Sequence, residues 1–214
     1  MAKPISGLYA IMPEMRDTEK LLGDVEAALR GGASVLQYRA KLLEPVSKIA
    51  QAKALASLCK KYDVPLIVND DVALAASMAA SGVHIGSHDM PCHKARQSLL
   101  PGMLLGVSCY DRLDLALGAQ SDGADYVAFG SFFPSLIKPN AVRPNLDFLR
   151  EARQKIRVPI VAIGGITLDN AASLVEAGAD AVAVISALFD ASNIEATARS
   201  FSELFLHRKH HAHT

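Results

Sequence analysis

Tryptophan is absent from the 214 residues, and aromatic side chains make up only 6% of them. A surface that stacks nucleic-acid bases on rings is therefore not favoured. Charge of one sign is not in excess, because 22 Lys and Arg balance 22 Asp and Glu. That excludes a uniformly basic nucleic-acid face and leaves room for a local cationic site. Only three cysteines occur, Cys59, Cys92 and Cys109, and none forms a CxxC pair. Such a set supports neither a disulfide framework nor a structural zinc site, and it suits a reducing cytoplasm. No uncharged apolar run reaches the roughly 18 residues of a membrane-spanning helix. Met1 to Ile11 carries one lysine and too short an apolar run for a secretory signal. GxGxxG and P-loop nucleotide motifs are missing as well.

What is present is an alternation. Short apolar runs begin at Gly7, Ser34, Pro65, Gly82, Met103, Asp125, Pro159 and Ala181, and most are five residues long. Segments with helical spacing separate them. Asp17 or Thr18 can cap a helix in which Leu21, Leu22, Val25, Ala28 and Leu29 recur at three and four. A weak helix is expected from about His93 to Leu99, another from Leu146 to Lys155, one starting at Thr167 or Asp169, and a last one from Ile194 to Leu206. The apolar runs are too short for helices, and most lack inside–outside alternation, as parallel strands covered on both faces do. Eight strand–helix units most simply close into a single compact (β/α)8 TIM barrel with few insertions, spanning 1–206. The His-rich segment 207–214 is expected to be a disordered tail. An open doubly wound sheet is the alternative, weakened by the missing GxGxxG.

In a barrel the chemistry sits where strands end. Those positions hold Gln37, Arg39 and Lys41 after the second run, and Asn69, Asp70 and Asp71 after the third. His84, Ser87, His88 and Asp89 follow the fourth, and Ser108, Cys109 and Tyr110 the fifth. Ser131, Ser135 and Lys138 follow the sixth, Gly164, Gly165 and Thr167 the seventh, and Ser186 the eighth. Arg39, Lys41 and Lys138 suit phosphate oxygens. Asp70 and Asp89 are hard donors of the kind Mg²⁺ takes together with waters and phosphates. Gly164-Gly165 lets backbone approach a ligand, and the ends of strands seven and eight form the usual barrel phosphate site. Each residue also has a plainer reading. Arg39, Lys41 and Lys138 can be solvated charges, Asp70 and Ser186 helix caps, Asp89 a turn residue and Gly164-Gly165 a tight turn. Convergence on one rim favours the site. His88, Asp89, Cys92 and His93 match no zinc spacing, and Cys109 reads as a small core thiol.

The chain resembles the thiamine phosphate synthase family over nearly its whole length. The segments that carry the likeness are GLYAIM (7–12), LQYRAK (36–41), LIVNDDVALA (66–75), SGVHIGSHD (81–89), GVSCY (106–110), GADYVAFGSFFPSLIK (123–138), VAIGGIT (161–167) and GADAVAVISAL (178–188). The resemblance implies a cytoplasmic, Mg²⁺-dependent transferase. It would join 4-amino-5-hydroxymethyl-2-methylpyrimidine diphosphate to a thiazole phosphate, releasing diphosphate. By that likeness Gln37, Arg39, Lys41 and Asn69 hold the pyrimidine diphosphate, and Asp70 and Asp89 ligate Mg²⁺. Ser108 contacts the reacting region, and Lys138 binds diphosphate. Ser135 lies on the substrate, and Gly165, Ile185 and Ser186 hold the thiazole phosphate. Ser108 and Lys138 carry the catalytic roles. No nucleic acid or membrane is implied as a partner.

The sequence departs from the family pattern in places. The loop after the sixth strand reads Pro134-Ser-Leu-Ile-Lys138 where P-T-x-T-K is usual, Gly130-Ser131 stands for G-P, Gly86-Ser87 for G-Q, and Tyr110 for His. Ala40 replaces the usual acid. Losing two donors at sites built for charge is expected to weaken binding by ~1–3 kcal/mol each. Two other functions share such a barrel: a thiazole phosphate tautomerase, which would not need Asn69-Asp70 and Asp89, and a binding protein without turnover.

Overall fold

The computed structural model describes residues 5–87, 89–134 and 143–211. Strands β1 (Gly7–Ile11), β2 (Val35–Tyr38), β3 (Leu66–Asn69), β4 (Gly82–Ile85), β5 (Leu104–Tyr110), β6 (Tyr126–Phe129), β7 (Ile160–Ile163) and β8 (Ala181–Val184) pair in chain order. All pairings are parallel, and β8 closes on β1. The helices are α1 (Thr18–Arg30), α2 (Pro45–Lys61), α3 (Val72–Ser77), α4 (Cys92–Ser98), α5 (Leu113–Ser121), α6 (Leu146–Lys155), α7 (Leu168–Glu176), α8 (Ser186–Phe189) and α9 (Ile194–His211). The expected (β/α)8 barrel is thus the observed one, and the open sheet is excluded by closure.

Each strand sends alternate side chains to two different cores. Leu8, Leu36, Val68, Val83, Leu105, Val127, Ala162 and Val182 pack outward beneath the helices. Tyr9, Val35, Ile67, Leu104, Tyr126, Val161 and Ala181 fill the barrel interior. Because both destinations are apolar, the period of two is invisible in polarity, as in other doubly covered parallel sheets. It becomes visible at the C-terminal ends. There the inward positions of β2 to β5 are Gln37, Asn69, His84 and Ser108, whereas those of β6 to β8 are Ala128, Ile163 and Ala183. The polar half of the rim is therefore encoded in four consecutive strands.

Local signals set the helix boundaries. Asp17 accepts from Lys20 N (3.0 Å) and opens α1, while Asn145 accepts from Phe148 N (2.8 Å) and opens α6. Thr167 and Asn170 form a reciprocal capping box at α7. Entry into the even-numbered strands is uniform. Gly32, Ala79, Gly123 and Gly178 take left-handed backbone (φ 99°, 48°, 92° and 116°). The alanine after each donates to a carbonyl five residues back, at 2.9–3.0 Å. This is the helix-ending arrangement in which a left-handed residue lets the next amide reach the last turn. The residue after that alanine, Ser34, Ser81, Asp125 or Asp180, then bonds the neighbouring odd strand through its side chain.

Three boundaries differ from expectation. β5 runs on to Tyr110, past the expected end at Val107. Ser186 does not cap the last helix: it begins the short α8, with Ile185 in the cap position, and Asn193 Oδ1 accepts from Ala196 N (3.0 Å) at the start of α9. The backbone of α9 remains helical through His211, past the expected tail boundary at 206. Among the described residues no helix is long and apolar enough to cross a membrane.

Candidate active site

The rim above β3 and β4 gathers opposite charges. Asp70 follows β3 with a left-handed backbone (φ 62°), and its N–H donates to the His84 carbonyl (2.8 Å) on β4. Its carboxylate lies 3.0 Å from Lys41 Nζ. The Lys41 side chain is 54% exposed, so this pair adds little to stability and the ammonium is free to turn to a ligand. The helix-cap role open to Asp70 is taken by its neighbour: Asp71 accepts from Leu74 N (2.9 Å) at α3 and pairs with Lys48 (2.7 Å). Asp70 is thereby left for the site.

Asp89 reaches the same place from the β4 loop. Its Oδ2 accepts from Gly86 N (2.7 Å). Burial holds the Asp89 carboxyl above its ordinary range. The Gly86 N–H opposes that shift, and the neighbouring Asp70 carboxyl reinforces it. The Asp70 carboxyl makes a negative charge on Asp89 costlier, so the place favours a positive charge beside them. Beside them a cavity of about 580 Å³ is lined by Lys41, Asn69, Asp70 and Met90, among others. Arg39 sits partly buried at the end of β2.

Below the rim the polar side chains join across the barrel. Gln37 Nε2 donates to Tyr9 Oη (2.8 Å), which lies 2.8 Å from Tyr126 Oη. Tyr126 Oη is 3.1 Å from His84 Nδ1, and His84 Nε2 is 2.8 Å from Ser108 Oγ. Burial pushes the His84 imidazole down to about 4, with the Asp70 charge opposing. The same burial pushes both phenols above their usual value. Sequence reasoning found Gln37, His84 and Ser108 as strand-end residues and missed Tyr9 and Tyr126. Their signal was faint: two tyrosines at inward positions of strands with otherwise apolar interiors.

The opposite half of the rim is made of backbone. Phe132 N and Phe133 N donate to the carbonyls of Ile163 and Gly164 (both 3.1 Å), so the start of the β6 loop lies along the β7 loop. Gly165 (φ 62°) and the partly buried Ile185 flank it, and Ser186 is exposed at the start of α8. Ser135 and Lys138 lie outside the described residues, as does His88. Ser87 Oγ is 3.0 Å from Tyr110 Oη, so two of the departures from the family pattern bond each other. Cys92 and His93 turn away from Asp89 toward α5, where Cys92 Sγ is 3.7 Å from the Ala119 carbonyl and His93 Nδ1 is 4.0 Å from Asp122. Cys109 is buried, which pushes its thiol up to about 12.

Comparison with known proteins gives the family of this barrel. The family model described as thiamine monophosphate synthase matches residues 8–188. A thiamine-phosphate synthase from Methylobacillus flagellatus is 54% identical over 202 residues, covering 94% of this chain and 96% of the relative. Another from Thiobacillus denitrificans is 52% identical, covering 93% and 94%. The solved thiamine phosphate pyrophosphorylase from Pyrococcus furiosus superposes with a TM-score of 0.84 at 33% identity, covering 94% and 96%. With a matching barrel and a matching sequence, the chain belongs to the thiamine monophosphate synthase family.

Proposed function

We propose that this chain is a transferase that forms thiamine phosphate from 4-amino-5-hydroxymethyl-2-methylpyrimidine diphosphate and a thiazole phosphate, releasing diphosphate. The observation that carries the reading is the convergence of Asp70, Asp89 and Lys41 on one rim. The donor set fits Mg²⁺: two carboxylates from adjacent loops, with space left for water and phosphate oxygens. Asp70 and Asp89 would hold it. When bound, it supplies positive charge to the departing diphosphate.

The chain's own residues do the rest. Arg39, Lys41 and Asn69 hold the diphosphate, with Gln37 beneath them. Rupture of the carbon–oxygen bond builds negative charge on the leaving group, and cations already aimed at it need no reorganisation. Ser108 contacts the reacting region. Gly165, Ile185 and Ser186 hold the thiazole phosphate so that the ring nitrogen meets the pyrimidine carbon, a step governed by placement rather than by a base. Ser135 and Lys138, which follow β6 in the sequence, would act on the substrates, and Lys138→Ala is expected to lower kcat more than it weakens thiazole phosphate binding. The three cysteines, free in the structure, suit a cytoplasmic enzyme.

The test is incubation with both substrates in Mg²⁺ and then in EDTA, measuring thiamine phosphate and diphosphate together. Equal, Mg²⁺-dependent formation of both supports the synthase. Diphosphate alone indicates capture of the pyrimidine cation by water. Neither product sinks the reading and favours a tautomerase or a binding protein.

A further inference from the structure

The binding roles above leave one feature without a purpose, the polar line inside the barrel. Gln37, Tyr9, Tyr126 and His84 are all buried, and the line surfaces only at Ser108. Its geometry is enforced by a missing side chain. Gly106 is register-paired with Tyr126 and lies two residues before Ser108. A Cβ on Gly106 would fall 2.0 Å from Tyr126 Cζ and 2.3 Å from its Oη. Only glycine lets the phenol cross β5 to reach His84.

The line has a direction, because each member has a fixed number of protons. Tyr9 accepts from Gln37 Nε2, so its single proton goes to Tyr126. The Tyr126 proton then goes to His84 Nδ1, which leaves the neutral imidazole with its N–H on Nε2, facing Ser108 Oγ. Ser108 accepts from the interior, and its own proton is left for the mouth of the barrel. With the Gln37 amide nitrogen toward Tyr9, the opposite sense would make Tyr9 accept twice and bury its proton with no acceptor, which folded proteins avoid.

We propose that Tyr9, Tyr126 and His84 are positioning residues that hold Ser108 as a hydrogen-bond donor toward the departing diphosphate. The proposal rests on the reading of Ser108 as a substrate contact. A serine free to rotate must orient during the reaction, whereas one already occupied from below presents its proton before the bond breaks. Nothing is transferred along the line: it orients a group and moves no proton to the product.

Two measurements test it. The first reads the His84 tautomer in the wild-type protein by long-range ¹H–¹⁵N correlation, with His84→Gln for assignment. Neutral Nε2–H is expected, and Nδ1–H overturns the proposal. The second is a double-mutant cycle on single-turnover product formation. Tyr126→Phe should slow wild type by about threefold to tenfold, with the pyrimidine KM little changed, and should do almost nothing in a Ser108→Ala background. Equal slowing in both backgrounds indicates a merely structural role and overturns the proposal. His84→Gln, which retains a side-chain N–H, should outperform His84→Leu, and equal losses overturn it too. A wild-type protein that forms no thiamine phosphate removes the role of Ser108 together with the functional reading, whereas additive losses in an active protein remove the line alone. If Tyr126→Phe fails to fold, the tautomer still decides.

Discussion

Tyr110 and Ser87 replace the histidine and glutamine usual in the family, and each alone looks like a lost ligand contact. Their hydroxyls are 3.0 Å apart, so the β5 end is tied to the loop that carries Asp89. Tyr110 reaches across with a left-handed backbone (φ 56°), a conformation that costs about 1–2 kcal/mol for a side-chain-bearing residue. Tyr110→Phe and Ser87→Ala should each raise the Mg²⁺ concentration for half-maximal activity by about twofold to fivefold, the worth of one exposed hydrogen bond. The double variant should be no worse than either single one; additive shifts in the Mg²⁺ activation curve would show that the two side chains act separately. Asp70→Asn is a different case. It removes one of two neighbouring carboxyls, so turnover should fall by at least about a hundredfold while the thermal midpoint stays or rises, as when a functional site gives up charge repulsion. These positions also show what a sequence can and cannot say about a site. Asn69-Asp70-Asp71 was legible as a strand end, but either aspartate could cap α3, and only the bond from Leu74 N to Asp71 separates the capping acid from the one proposed to hold the metal.

The turns at the N-terminal face are a counterpart to the rim. Asp125 Oδ2 accepts from Leu105 N (2.7 Å) and from Arg96 (2.8 Å), and Asp180 Oδ2 accepts from Ile160 N (2.8 Å) and from Arg153 (2.7 Å). Each aspartate therefore ties a helix to an odd strand at the point where an even strand begins. The ion pairs are partly exposed and contribute modestly; the strand amides are what the carboxylates satisfy. Asp180→Ala should lower stability by about 2–3 kcal/mol in urea unfolding, with Asp180→Asn losing less because it keeps an acceptor. Activity should persist in both, since this face is remote from the rim. The Gly-Ala-Asp repeat at 123–125 and 178–180 was visible in the sequence, as were the places of the eight strands and the limits of α6, because apolar runs and caps are local signals. α8 was not. Four residues carry no helical period, and Ser186 reads equally well as a cap or as a first residue. The extra length of β5 was hidden for another reason: Ser108 interrupts the apolar run, and only the pairing of Ser108 and Tyr110 with β6, across a register shift, continues the strand.

Taken whole, the barrel isolates its reactive groups from solvent except at one end. Burial pushes the Cys59 and Cys109 thiols up to about 12 and Cys92 up to about 11. Very little thiolate exists at pH 8, so a disulfide exchange reagent should label none of the three quickly in the folded protein and all three in guanidinium. Rapid labelling of the native protein would contradict the packing of Cys59 and Cys109. The fold was legible because eight repeats of one local pattern admit few closures. The division of the rim into a polar half on β2–β5 and a backbone half on β6–β8 was not, since it depends on which strand-end residues face inward.

The interior that joins Tyr9 to Tyr126 is also a floor. Ile5, Val35, Ile67, Leu104 and Val161 pack around those two rings, so the barrel is a cup and not a tube. A cup has one mouth, and everything that enters must leave the way it came. On the proposed contacts, a molecule against the partly buried Ser108 would lie beneath one against the exposed Ser186. Arrival and departure then follow a queue, last in and first out, and product-inhibition patterns should show a compulsory order where a tube would have permitted any.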